Sequence, residues 1–195
     1  PVSQPGNFSV IFHYNNGGRA VTELAAFNRF DELIARRVEF IRTHQQMKRT
    51  DDPRYGAYLP YDNETDSLLL DPNHSCSPTD RNEGAERVGM GVLLAKCCQL
   101  TGDTVLLNSL IRYTDFVRNK LQDPDYVTYS NVTHNSYPRA YNYPWIAELQ
   151  LRMYLLTGQA SYAYDGYRTL RTMFNKFGHG FYAIGIPVTL SMQVL

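Results

Sequence analysis

Leu100-Thr101-Gly102-Asp103 and Leu156-Thr157-Gly158-Gln159 decide the fold, because one Leu-Thr-Gly turn occurs twice, 56 positions apart. Each copy joins a mostly apolar helical stretch to an amphipathic one. Around the two turns Leu93 matches Leu149, Arg112 matches Arg168, and Asn119-Lys120 match Asn175-Lys176. A period this long, with a helix on each side of a tight glycine turn, is the signature of stacked helical hairpins.

Working outward, apolar residues at helical spacing predict six helices. The first spans Leu24 to Gln46, with Phe27, Phe30, Ile34, Val38 and Ile41 on one face and Arg29, Glu32, Arg36 and Glu39 on the other. The second, Gly84 to Leu100, is apolar nearly all round, and close packing is expected to account for Gly84, Gly89 and Gly91 within it. Thr104 to Leu121 is amphipathic, Tyr143 to Leu156 mostly apolar, Ala160 to Lys176 amphipathic, and Ile184 to Leu195 apolar again. The order is outer, inner, outer, inner, outer, inner. Inner-to-outer turns are short, whereas the outer-to-inner connections 47–83, 122–142 and 177–183 are longer. The expected fold is therefore mainly all-α, an incomplete α/α toroid. A short β-hairpin is expected within Tyr55 to Leu70. A strand, Phe8 to Tyr14, precedes an Asn-Asn-Gly-Gly turn and needs a partner from a neighbouring or missing element. The expected domains are an N-terminal strand and linker over 1–20 and the helical-hairpin domain over 21–195. Three hairpins make part of a ring, so the chain is expected to be a fragment of a larger toroid or a homo-oligomer that buries its apolar flanks.

Composition narrows the partners. Formal net charge is zero and no basic block occurs, so nucleic acid is not an expected partner. No run reaches the roughly 20 apolar residues of a membrane span. The start at Pro1 suits a processed chain, and cytoplasmic and periplasmic or secreted locations fit equally well. Cys97 and Cys98 are helical neighbours and Cys76 stands apart, which gives neither a disulfide framework nor zinc spacing. Asp62, Glu64 and Asp66 lack the glycine and distal glutamate of a calcium loop. No metal or cofactor is expected. Tyrosine is the outlier, with 15 residues, many in loops. Its flat face and hydroxyl suit surfaces that hold sugars or peptides.

The long connections lead into the N-terminal ends of inner helices, where free N–H groups and the positive dipole end favour carboxylates. The first carries Asp80-Arg81-Asn82-Glu83-Gly84-Ala85-Glu86-Arg87. Asp80 and Glu83 fit a helix cap, while Glu86 and Arg87 lie past it, where burying charge is costly unless it is paired or used. The second carries His134 to Trp145, including Arg139, Tyr141 and Tyr143. There Asn142 is the expected N-cap, Pro144 fits the first turn, and Trp145 belongs to the core. The third, Phe177-Gly178-His179-Gly180-Phe181-Tyr182, places His179 between glycines that permit close approach.

The stretches DRNEGAERVGMGVLLAK, RAYNYPWIAELQLRMYLLTG and FYAIGIP resemble the hairpins of six-hairpin glycosidase-type proteins. The likeness is nearest to uronic-acid-active bacterial groups of the unsaturated glucuronyl hydrolase and β-glucuronidase kinds, over about residues 24–195. It implies an oligosaccharide substrate bearing uronic acids and, first, hydrolysis. One carboxylic acid, Glu83 or Glu86, would protonate the leaving oxygen, with Asp80, Asp62 or a residue outside this chain as its partner. Arg87 and Arg139 would fork a uronate carboxylate, Tyr141 and Tyr143 would stack on sugar faces, and His134 and His179 would line the site. The alternative is a polysaccharide lyase, with Tyr141 or His134 as base and Arg139 neutralising the uronate. A third possibility is a non-catalytic helical repeat whose tyrosines bind glycan or protein.

Overall fold

The computed structural model describes residues 4–27, 29–71, 83–84, 87–134, 138–178 and 185–195. It divides into two compact units, Pro1–Glu39 and Phe40–Leu195. In the first, strand β1 (Gly6–His13) pairs antiparallel with β2 (Arg19–Ala26), with Gly6 opposite Ala26 and His13 opposite Arg19. The expected strand therefore does have a partner, and it is the next segment of the same chain. Asn15 to Gly18 make the turn, closed by Tyr14 N–H to Gly18 O at 2.8 Å, with Gly17 at φ +81°. Leu24 to Ala26, expected to open the first helix, lie in β2. Helix α1 begins only at Phe30 and runs to Phe40. The apolar spacing around Leu24 and Phe27 fits two periods, and hairpin pairing decides between them. Arg29 braces the first turn of α1 through Asp31 and Glu32.

In the second unit the chain continues from α1 through a π-helical turn, Ile41–Gln45. The next hairpin is short, β3 (Tyr61–Asp62) against β4 (Ser67–Leu68). Asp62 is used inside its turn, accepting from Glu64 N–H at 2.9 Å and from the Thr65 hydroxyl at 2.8 Å. Then follow α2 (Val88–Thr101) and α3 (Thr104–Phe116), the latter ending in a second π-helical turn, Val117–Leu121. Helices α4 (Asn142–Thr157), α5 (Ala160–Phe177) and α6 (Val188–Val194) complete the chain. The fold is mainly α-helical with a short β-hairpin, β3–β4, as expected, and β1–β2 is a second hairpin. No helix among the described residues is long and apolar enough to cross a membrane.

Both Leu-Thr-Gly turns close by the same bonds. Gly102 and Gly158 take the left-handed conformation at φ +68° and +70° and donate to Cys98 O and Tyr154 O, each at 2.8 Å. The threonine hydroxyls donate one turn back, Thr101 to Cys97 O at 2.9 Å and Thr157 to Met153 O at 2.8 Å. The copies differ only after the turn. Asp103 caps α3, accepting from Val105 N–H at 2.7 Å and Leu106 N–H at 3.2 Å, whereas Gln159 makes no such bond.

Helix α2 packs on α3 and α4, and α4 packs on α5 and α6. The core runs through Val88, Leu94, Leu110, Tyr113, Tyr143, Ile146, Leu149, Leu151 and Met153, all fully buried. Gly91 is where α2 meets both neighbours: a methyl built there would lie 2.6 Å from the Tyr113 ring and 3.2 Å from Leu149. Gly89 has open space instead, so close packing does not explain it. Helix α6 buries no residue fully, and it exposes Val188 and Met192.

A second repeat is written in glutamines. After the first π-helical turn, Gln46 accepts from the Ser109 hydroxyl at 2.8 Å and donates to Ser109 O at 2.9 Å. After the second, Gln122 donates to the Thr169 hydroxyl at 3.0 Å, and Thr169 donates to Gln150 at 2.9 Å. Each glutamine is buried and ties the π-helical turn before it to the middle of a later helix, α3 or α5. A buried amide left unmatched costs about 1–3 kcal/mol, so these links fix the stacking of hairpins as well as strengthening it.

Candidate functional site

The connection between α3 and α4 is built by local devices before it presents any side chain. Gln122 and Thr128 form an isolated antiparallel bridge, Tyr129 N–H donates to Leu121 O at 2.8 Å, and Asp123 accepts from Asp125 and Val127 N–H, each at 2.9 Å. Tyr126 sits at φ +63°, a conformation that bulky residues rarely adopt. Its hydroxyl donates to Asp165 at 2.6 Å and its ring lies beneath Arg118 at 3.9 Å. The loop is thereby anchored to α5, and Ser130 and Asn131 are carried into buried positions.

Ser130 is the hub. Its hydroxyl oxygen accepts from Arg139 Nη2 at 3.2 Å and from Asn142 Nδ2 at 3.1 Å. Arg139 also donates through Nη1 to the Tyr141 hydroxyl at 3.3 Å, with its guanidinium 5.0 Å from the centre of the Tyr141 ring. Tyr141 in turn lies tilted against Trp145, ring centres 5.7 Å apart. Tyr141 and Trp145 are both half-buried, so Trp145 is not the core residue expected. Asn142 is the first residue of α4 and wholly buried; Tyr141 occupies the cap position, so the expected N-cap role of Asn142 is replaced by its bond to Ser130.

Glu83 meets the same loop from the other side. Only 7% exposed, it accepts from Val132 N–H at 2.8 Å. Gly84 presses on Ser130, where a methyl group would fall 1.5 Å from the Ser130 carbonyl oxygen. Nothing larger than glycine fits that approach. Behind Glu83 lies Arg54, whose Nε and Nη2 grip Asp52 at 2.8 and 2.9 Å and whose charge interacts with Glu83. These bonds and the neighbouring Arg49 hold the Asp52 carboxyl well below the usual carboxylate range. Arg87 caps α2 by position, without a side-chain capping bond, and acts electrostatically on the buried Tyr113 hydroxyl.

His134 lies apart from the hub. It is exposed, sits at φ +54°, and stacks on Tyr129 with ring centres 4.0 Å apart. Its Nε2 is 2.8 Å from Lys120 O, a carbonyl that can only accept, so Nε2 carries the donated proton. Tyr143 is no sugar platform. It is fully buried in a cluster with Ala147, Leu170 and Met173, and its hydroxyl accepts from Thr128 N–H at 3.2 Å. Asp80, Glu86 and His179 lie outside the described residues. Among the described residues no cluster of histidine, cysteine, aspartate or glutamate is arranged to hold a metal.

The structure thus brings together Arg139, Tyr141, Asn142, which was expected only as a cap, and the unforeseen Ser130, with Glu83 and Gly84 bracing their loop. A guanidinium, a phenol, a hydroxyl and an amide meet at the start of α4. No family model matches the chain, and no curated protein matches it. A solved structure described as a polysaccharide lyase matches with 51% sequence identity and a TM-score of 0.89 over all of this chain. The chain spans 29% of the length of that structure.

Proposed function

We propose that this chain is the helical-hairpin portion of a polysaccharide lyase acting on a uronic-acid-containing polymer, within a ring of the six-hairpin kind. The likeness at 51% identity to part of a polysaccharide lyase carries the reading. The Arg139–Tyr141 pair gives it chemistry. Arg139 would neutralise the uronate carboxylate, which makes the adjacent C–H more acidic. A base removes that proton, the electron pair forms the carbon–carbon double bond, and the bond to the leaving glycosidic oxygen breaks. Tyr141 is the base we assign, since its oxygen lies beside the cation that would hold the substrate acid; its O–H would then protonate the leaving oxygen. His134, exposed on the same connection, is the second candidate.

Lyase chemistry takes precedence here over hydrolysis. Hydrolysis needs a carboxylate pair, and Glu83 is buried and committed to the Val132 N–H. The deciding measurement is ultraviolet absorbance during digestion of hyaluronan, alginate or polygalacturonate, because elimination makes a double bond conjugated to the carboxylate. Absorbance should rise with a suitable polymer. Arg139→Ala should slow the rise by about 10²–10³-fold, the usual loss on removing one charged transition-state donor. Tyr141→Phe should abolish it, and His134→Gln should leave it nearly unchanged. Products that lack the chromophore would end the lyase reading.

A further inference from the structure

Away from the Ser130 hub, a groove of about 460 Å³ opens between residues 50–55 and the second half of α3 with its π-helical turn. That volume lies within the range of small-ligand clefts. We propose that it is a second, non-catalytic binding site for the acidic polysaccharide, holding a stretch of polymer away from the reacting bond. This rests on the reading of the protein as one that acts on a uronate polymer.

The groove's helical wall presents Arg112, Asp115, Asn119 and Lys120, spaced so that they share one face. Arg112 and Lys120 stand about two turns apart with Asp115 and Asn119 between them, so cations flank groups that bind hydroxyls. The Asp115 and Asn119 side chains and the Lys120 ammonium have no hydrogen-bond or ion-pair partner among the described residues. Arg112 gives one N–H to Gln46 at 3.3 Å and keeps its others. Partial desolvation by its neighbours raises the Asp115 carboxyl above its ordinary value, although the side chain still reaches solvent. Opposite, Tyr55 is 40% exposed and offers a ring face beside Pro53. Asp51 and Asp52 also lie on this wall, and Asp52 is already satisfied by Arg49 and Arg54. Isolated carboxylate, amide and ammonium groups across from a tyrosine face match a ring bearing hydroxyls and a carboxylate. Lys120 also ties the groove to the loop, since its carbonyl receives the His134 Nε2–H.

The test is retardation of the protein in gels containing hyaluronan, alginate or polygalacturonate, with neutral dextran as control. It is run in the Arg139→Ala background so that polymer survives. Tyr55→Ala and Asp115→Asn alter exposed side chains, and unchanged melting curves confirm their fold. Each should weaken retardation by at least one of the acidic polymers about tenfold, equivalent to about 1.4 kcal/mol. Dextran should not retard any variant. Unchanged retardation by every acidic polymer in both variants, or equal retardation by dextran, overturns the proposal. The outcomes separate the two readings. Chromophore formation with unchanged retardation removes the groove alone. Groove-dependent retardation without chromophore removes the lyase alone.

Discussion

Gly89 and Gly91 lie two residues apart in α2, yet replacing each with alanine should move stability in opposite directions. At Gly91 a new methyl meets Tyr113 Cε1 at 2.6 Å, Tyr113 Cδ1 at 2.8 Å and Leu149 Cδ1 at 3.2 Å. Tyr113 and Leu149 are both fully buried, so neither can swing into solvent. Overpacking of this kind costs about 1–3 kcal/mol. Alanine also gains helix propensity, up to about 1 kcal/mol. The clash wins, leaving a net loss of about 1–2 kcal/mol. At Gly89 nothing lies within 4 Å, so only the propensity gain remains. Its place in the first turn of α2 trims that gain to about 0.5 kcal/mol. For a chain of this size 1 kcal/mol is worth about 2–4 °C in Tm. Thermal unfolding followed by circular dichroism should show Gly91→Ala melting about 2–8 °C lower and Gly89→Ala about 1–2 °C higher. Shifts of the same sign would refute the claim that Gly91 sets the approach of α2 to α3 and α4.

Two further outcomes follow from local bonds. Asp103→Ala removes the α3 cap and should cost about 1 kcal/mol in urea unfolding, whereas Gln159→Ala, at the matching position of the other turn, should change stability little. The Asp52 carboxyl is held below its ordinary value in the folded chain, so its contribution is fully present above the unfolded value near pH 4 and is lost as pH falls toward the lower folded value. Asp52→Asn should lower stability at pH 7 by about 1–3 kcal/mol and flatten its decline below about pH 4, measured as unfolding midpoints across a pH series. An equally steep decline in the variant would show that other carboxylates govern acid unfolding.

The sequence by itself determined the helical part of this protein. Leu-Thr-Gly is a local signal: glycine takes the left-handed conformation, threonine bonds the preceding turn, and both depend only on neighbours within five residues. Helices α2 to α5 accordingly lie within a few residues of where periodicity puts them. The N-terminal hairpin was half legible, since Asn-Asn-Gly-Gly marks a turn, but Arg19–Ala26 carries a period that suits helix or strand until β1 pairs with it. The Gln46 and Gln122 links left a faint trace, Ile41-Arg42 and Val117-Arg118 each lying five and four residues before a glutamine. Their partners, Ser109 and Thr169, are distant in the chain. The hub was decided by tertiary structure alone. Arg139 and Tyr141 are conspicuous in sequence, but Ser130 becomes their partner only because the loop folds back against Gly84 and is held there by Glu83. Tyr143 shows the converse: it looks as available as Tyr141, yet the helical turn between them points it into the core. Short-range rules fix backbone conformation, while the identity of a site depends on which distant side chains share one desolvated space, and only packing settles that.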